Sequence, residues 1–93
     1  MSQPMRVAAR VEVKNERGLH ARAARTIVLA LKPFTADISV TRDDQTVDGR
    51  SILSLMTLAA APGTTLDLVA EGPDAEAVIA ALTALFEARF HED

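Results

Sequence analysis

The sequence predicts an α+β open-faced sandwich, a four-stranded antiparallel sheet covered on one face by three helices in the order β-α-β-β-α-β-α. Three observations predict it. Apolar residues alternate near the start, around 38–40 and again at 66–70, so the strands have one buried and one wet face. The period changes to the helical one after residue 21 and again after Pro73. Gly or Pro stands at most of these changes, and no internal repeat, low-complexity run or linker interrupts the pattern. One domain over residues 1–93 is expected.

The first strand falls on residues 5–13, where Met5, Val7, Ala9, Val11 and Val13 alternate with Arg6, Arg10 and Glu12. The NERG stretch at 15–18 is a loop in which Gly18 is free to take a positive φ. Ala24, Ile27, Val28 and Leu31 then follow helical spacing, and Pro33 ends that helix. Ile38 and Val40 open a second strand, RDDQ at 42–45 reads as a hairpin turn, and Thr46 and Val47 form a short third strand. Gly49 breaks it. Ser51 caps a short helix with Ile52, Leu55 and Met56 on one side and Leu53 on another. A turn at Pro62 and Gly63 leads to a fourth strand through Leu66, Leu68 and Ala70. In the last helix Pro73 fits the first turn, Asp74 and Glu76 complement the positive dipole end, and Ala75, Val78, Ile79, Leu82, Leu85 and Phe86 make the buried stripe. Arg89 and His91 fall near its negative end.

Composition narrows the chemistry. Of 93 residues 48% are apolar, enough for one core, but only three are aromatic and all are Phe. There is no cysteine, so disulfides, cysteine metal sites and thiol catalysis are excluded. The polar opening MSQPMRVAAR is not expected to act as a leader, and no apolar run is long enough to span a membrane, so a cytoplasmic protein is expected. A net charge of −3 argues against nucleic acid as partner. That charge is uneven. Between Glu16 and Lys32 one acid faces Arg17, Arg22, Arg25 and Lys32, whereas six acids between Glu71 and Asp93 face Arg89. A solvated helix face explains such a patch as well as a docking site does.

His20 lies where the first helix should have its N-cap. Helix N-termini present N–H groups without intrahelical partners, and with the dipole they make an anion site. The same field disfavours an imidazolium and leaves one ring nitrogen unprotonated and nucleophilic. A phosphoryl group on that nitrogen would lie against the N–H groups of Ala21 and Arg22, with the Arg22 guanidinium on its oxygens. An incidental surface histidine remains the plain alternative. Metal binding is a poorer fit, because the only other histidine is His91 and no carboxylate spacing near His20 matches a ligand set. No serine is evidently paired with His20.

The residues 18–24, GLHARAA, resemble the phosphohistidine motif of the HPr family, the phosphocarrier proteins of the bacterial phosphoenolpyruvate-dependent phosphotransferase system. GRSILSLMTLAAAPGTTLDL at 49–68 resembles that family's second signature, around its regulatory serine. The motifs keep the family's separation, and the similarity runs from about Val7 to the C-terminus. The resemblance implies that His20 is phosphorylated through Nδ1, with Arg22 beside the phosphate. It implies that Ser51 is the serine modified in some lineages by a kinase, HPr kinase/phosphorylase. It places Ile52, Leu53 and Met56, with Ala21 and Ala24, in the apolar patch that partners grip, bordered by Arg25. The partners it implies are enzyme I as donor and an enzyme IIA-type acceptor. It implies no cofactor, no metal, no catalytic turnover of the protein's own, and a monomer. Ala23 departs from the family's usual proline, which restores a backbone N–H. The C-terminal ALFEARFHED is similar to the nitrogen-related, NPr-like branch more than to sugar-transport HPr.

Two other classes compete. An acylphosphatase-like hydrolase would need a glycine-rich loop after the first strand, where only Gly18 stands. A small interaction module explains the fold but not two motifs in register.

Ser51 as an N-cap would bond the N–H groups near Ser54. A phosphate there adds nearly two negative charges at a helix end that tolerates them. Its expected effect is on recognition at the adjoining patch rather than on folding.

Overall fold

A computed structural model describes residues 5–92. Residues 1–4 and Asp93, which the sequence reading includes in the domain, lie outside the described residues. The elements are β1 (Arg6–Glu12), α1 (Ala21–Leu31), β2 (Asp37–Arg42), β3 (Gln45–Asp48), α2 (Ile52–Thr57), β4 (Thr65–Glu71) and α3 (Ala75–Glu87). The four strands form one antiparallel sheet in the order β1-β4-β2-β3. This is the open-faced sandwich that the alternation predicts.

Register aligns the apolar positions. Leu68 on β4 stands opposite Ala9 on β1 and Val40 on β2, and Leu66 stands opposite Val11. Because side chains alternate, these positions share the face that the helices cover. Val11, Val13, Ile38, Val40, Leu66, Leu68 and Ala70 are buried there against Ala24, Ile27 and Leu31 of α1, Leu55 of α2, and Val78, Leu82 and Phe86 of α3. The other face carries polar residues such as Arg10 and Asp67, joined at 2.9 Å across the β1–β4 pair.

Several expectations are corrected. Met5 is 43% exposed and precedes β1, an edge strand whose apolar face is buried only toward Val11 and Val13. The side of α2 that carries Ile52, Leu55 and Met56 is buried only at Leu55, with Ile52 half-buried and Met56 exposed, and Leu58 beyond its end completes the core contact. Pro73 and Asp74 precede α3, so Pro73 is not in its first turn. The Asp74 side chain makes no cap bond to its own helix. Its carboxylate instead accepts the N–H groups of Thr35 and Ala36, each at 2.8 Å, and ties the loop after α1 to the start of α3. Bonding to the Thr35 N–H is the main cause that holds its pKa below the ordinary aspartate value; desolvation opposes it, and the Ala36 bond adds to the lowering.

The carbonyl end of α1 also has a partner that the sequence did not reveal. The Arg50 guanidinium donates to the carbonyls of Leu31, Phe34 and Ala36 at 3.0, 2.9 and 2.9 Å. A helix leaves its last carbonyls unpaired, and a cation there suits the dipole. The contact fixes the direction of α2. Its N-terminus lies at the end of α1, while Ala60, just past its C-terminus, accepts the Leu19 N–H at 2.8 Å beside the start of α1.

Candidate functional site

The site is built at the start of α1. Gly18 takes φ 68°, which turns the chain so that its carbonyl accepts the His20 N–H at 3.0 Å. His20 itself has extended backbone, φ −86° and ψ −175°, and is the N-cap of α1. Its carbonyl accepts the Ala24 N–H at 2.9 Å, and its ring Nδ1 accepts the Arg22 N–H at 3.3 Å. The histidine therefore caps its own helix with a ring nitrogen, where Ser, Thr or Asp would normally offer oxygen.

The other ring nitrogen is occupied too. Nε2 lies 2.9 Å from Oε2 of Glu92. A carboxylate only accepts, so Nε2 carries the proton and Nδ1 carries the lone pair. Glu92 is held in turn by Asn15, whose Nδ2 donates to Glu92 Oε1 at 3.0 Å and to the Gly18 carbonyl at 2.7 Å. Asn15 is the one buried polar residue among those described, at 1% exposure, and its Oδ1 has no partner. Burial pushes the Glu92 carboxyl up, but bonds from Asn15 and His20 and the positive charge of Arg22 act against this, and its pKa lies below the ordinary glutamate value.

Glu92 reaches the ring because the chain reverses after α3. Arg89, Phe90 and His91 have φ of 54°, 55° and 60°, three successive left-handed residues, none of them glycine. Phe90 is buried there against Phe86, with ring centroids 4.8 Å apart at 65°. Arg89 and His91 thus leave the axis of α3 rather than extending its last turn. Glu16, Arg17, Arg22, Phe90, His91 and Glu92 line a groove of about 570 Å³ beside His20. A nucleophilic nitrogen on a half-buried ring, a helix N-terminus and Arg17 and Arg22 beside it make a place where a tetrahedral anion can be held on the ring.

The pattern that describes the PTS HPr component phosphorylation site matches residues 7–88. The chain belongs to the HPr family. It is 41% identical over 87 residues to the phosphocarrier protein HPr of Treponema pallidum, covering 94% of this chain and 99% of that one. It is 35% identical over 82 residues to the phosphocarrier protein NPr of Shewanella violacea, covering 88% and 90%. Among solved structures, HPr-C-His from Thermoanaerobacter tengcongensis superposes with a TM-score of 0.89 at 38% identity, over 94% of this chain and 98% of that one. HPr proteins carry a phosphoryl group and are not enzymes.

On this HPr frame the residues named from the sequence fall into two groups. His20, Ala21 and Arg22 stand together at the start of α1, with Arg25 exposed one turn on. Ser51 is the N-cap of α2 and its hydroxyl oxygen accepts the Ser54 N–H at 3.2 Å. It lies toward the far end of α1 from His20, since its neighbour Arg50 bonds the Leu31 carbonyl. Leu53 is 77% exposed, Met56 40%, and Ile52 half-buried. Ala24 is not available to a partner, because its side chain is fully buried in the core. Ala23, at the usual proline position, is buried as well. Leu29 is exposed at 42% and was not singled out. Asn15, Phe90 and Glu92 were also missed. The only trace of Phe90 and Glu92 in the sequence is the ending RFHED, in which an apolar residue and two acids follow a completed helix, and Asn15 shows only as part of the NERG loop.

Proposed function

We propose that His20 is the phosphoryl carrier of this protein, accepting the group from phospho-enzyme I and passing it to an enzyme IIA-type protein. The observation that carries the reading is the arrangement of the His20 ring. Nε2–H faces Glu92 and the Nδ1 lone pair faces the helix N-terminus. Attack by Nδ1 on phosphorus forms one N–P bond as the donor's bond to phosphorus breaks, and the donor keeps that electron pair. The Arg22 N–H then loses its bond to Nδ1 and gains a phosphoryl oxygen, where the Ala21 N–H and the Arg22 guanidinium also bind. Because the transferring group has a loose transition state, positioning and charge do most of the work. Onward transfer returns the electron pair to Nδ1.

We assign the carrier to the nitrogen-type branch on the form of its C-terminal tail. Ser51, beside Leu53 and Met56, is a regulatory phosphorylation site in this reading, open to an HPr kinase/phosphorylase. A phosphate there leaves the cap intact and sets charge against an apolar docking patch. The protein works as a monomer in the cytoplasm, since a carrier must release each partner quickly from one small surface.

The test is labelling with enzyme I, magnesium and phosphoenolpyruvate, read as an acid-labile phosphate by intact mass. The label should appear on the parent protein and be absent from His20→Ala. Chasing the labelled protein with nitrogen-type and sugar-type IIA proteins should discharge it faster to the former. Label that persists in His20→Ala overturns the site, and faster discharge to the sugar-type acceptor overturns the branch.

Leu53→Asp tests the patch. With 77% of the residue exposed, the substitution should leave the circular-dichroism spectrum unchanged. It should raise the KM of enzyme I for this carrier on the order of tenfold, the loss typical of a docking hot spot. Normal transfer by that variant removes the patch from recognition.

A further inference from the structure

We infer that Glu92 is a positioning residue for phosphotransfer, a carboxylate that the C-terminal tail places on His20 to fix which ring nitrogen is nucleophilic. The inference rests on the phosphocarrier reading of His20 and gives a kinetic role to the carboxylate that reading only notes beside the ring. Its geometry is specific. Oε2 of Glu92 takes the Nε2–H at 2.9 Å while Oε1 is held by Asn15 at 3.0 Å, and the Glu92 and His20 side chains are only 15% and 25% exposed. Asn15 is anchored to the Gly18 carbonyl, so the loop that orients the histidine backbone also orients its acid. The segment after α3 reaches this place through three left-handed residues and a buried Phe90, a strained route of the kind that gathers at functional sites.

The arrangement does two things. It selects the tautomer with the proton on Nε2, leaving Nδ1 as the nitrogen that can attack. It also answers charge that develops during the reaction. As Nδ1 shares its electron pair with phosphorus the ring becomes cationic. The Nε2 proton stays in place, and the carboxylate compensates the new charge in a partly dehydrated setting. When phosphorus leaves for the acceptor, the pair returns to Nδ1 and the ring is neutral again. No proton has to enter or leave at either step. The Glu92 carboxyl is suited to this because its environment keeps it ionised.

Glu92→Gln keeps the size and removes the charge, and Glu92→Asp keeps the charge with a shorter reach. In phosphorylation by enzyme I, Glu92→Gln should lower kcat on the order of tenfold, the usual effect of losing a histidine's orienting carboxylate, with KM within about twofold of the parent. Glu92→Asp should recover part of the lost kcat. Nitrogen NMR of the unmodified protein in alkaline buffer provides a check that needs no variant, and should show one tautomer with the proton on Nε2. An unchanged kcat in Glu92→Gln overturns the inference, as does a rise in KM alone, which would make Glu92 a partner contact. A ring protonated on Nδ1 overturns it as well. A parent protein that takes no label at His20 is a different result, because it removes the phosphocarrier reading itself.

Discussion

Gly18→Ala should cost this protein about 3 kcal/mol of stability and slow phosphorylation of His20. Two causes act together. Gly18 has φ 68°, a region that costs alanine about 1 kcal/mol relative to glycine. In addition, a Cβ at this position would overlap the Ala60 carbonyl oxygen and press on the Ala61 backbone at 3.2 Å. Neither neighbour is the end of a flexible side chain. The Ala60 carbonyl is held by the Leu19 N–H at 2.8 Å, so relief requires the loop of residues 18–20 to move away from the segment after α2. That movement carries the Gly18 carbonyl, which supports both the His20 N–H and the Asn15 side chain. Stability and site geometry should therefore fail together. Urea unfolding measures the first and the labelling rate the second. A loss below about 1 kcal/mol would mean that the loop absorbs the methyl group, and that Gly18 does not set the position of His20.

The comparison of sequence with structure separates local signals from distant ones. His20 and Ser51 were legible as N-caps because the signal is short: a polar residue followed at once by helical spacing, with the bond made to a backbone group two or three residues on. The strands were legible for a similar reason. Alternation at Val11, Val13, Ile38, Val40, Leu66 and Leu68 is a property of each segment, and the sheet satisfies all of them on one face.

What was not legible depends on partners far apart in the chain. Glu92 lies 72 positions from His20 and Arg50 lies 19 from Leu31, and neither pairing has a local pattern. Asp74 reads from the sequence as complementing the positive dipole end of α3. Its carboxylate serves the loop at Thr35 and Ala36 instead, which only the packing of α3 against that loop brings near. Ala24 was assigned to the docking patch through family resemblance, whereas its spacing with Ile27 and Leu31 already placed it in the core. The helical pattern was the better guide there. The tail illustrates the sharpest limit. Of Arg89, Phe90 and His91 only the histidine is a type enriched at positive φ, too weak a local signal to announce a left-handed turn of three residues.

That turn leads to the second large effect. Phe90→Ala should destabilise the protein by about 2 kcal/mol and should also reproduce the kinetic defect of Glu92→Gln. A fully packed Phe lost to alanine typically costs about 3–5 kcal/mol, and Phe90 is 4% exposed with an edge contact to Phe86. Part of that loss is returned. The left-handed turn relaxes once the ring no longer anchors it, which relieves about 1–2 kcal/mol of strain. The net value is therefore smaller than for a phenylalanine in a regular helix. The same relaxation lifts Glu92 away from Nε2, because among the described residues after Phe86 no other apolar side chain is buried. The two substitutions then remove one function by two routes. In a double-mutant cycle, adding Glu92→Gln to Phe90→Ala should lower kcat little further, since the carboxylate has already left the ring. Urea unfolding and enzyme I kinetics on the four proteins give both numbers. Independent losses that multiply in the double variant would show that Phe90 supports the core alone and that Glu92 finds His20 without it. A shared loss would establish the terminal turn as the element that converts packing of α3 into the orientation of a ring at the start of α1.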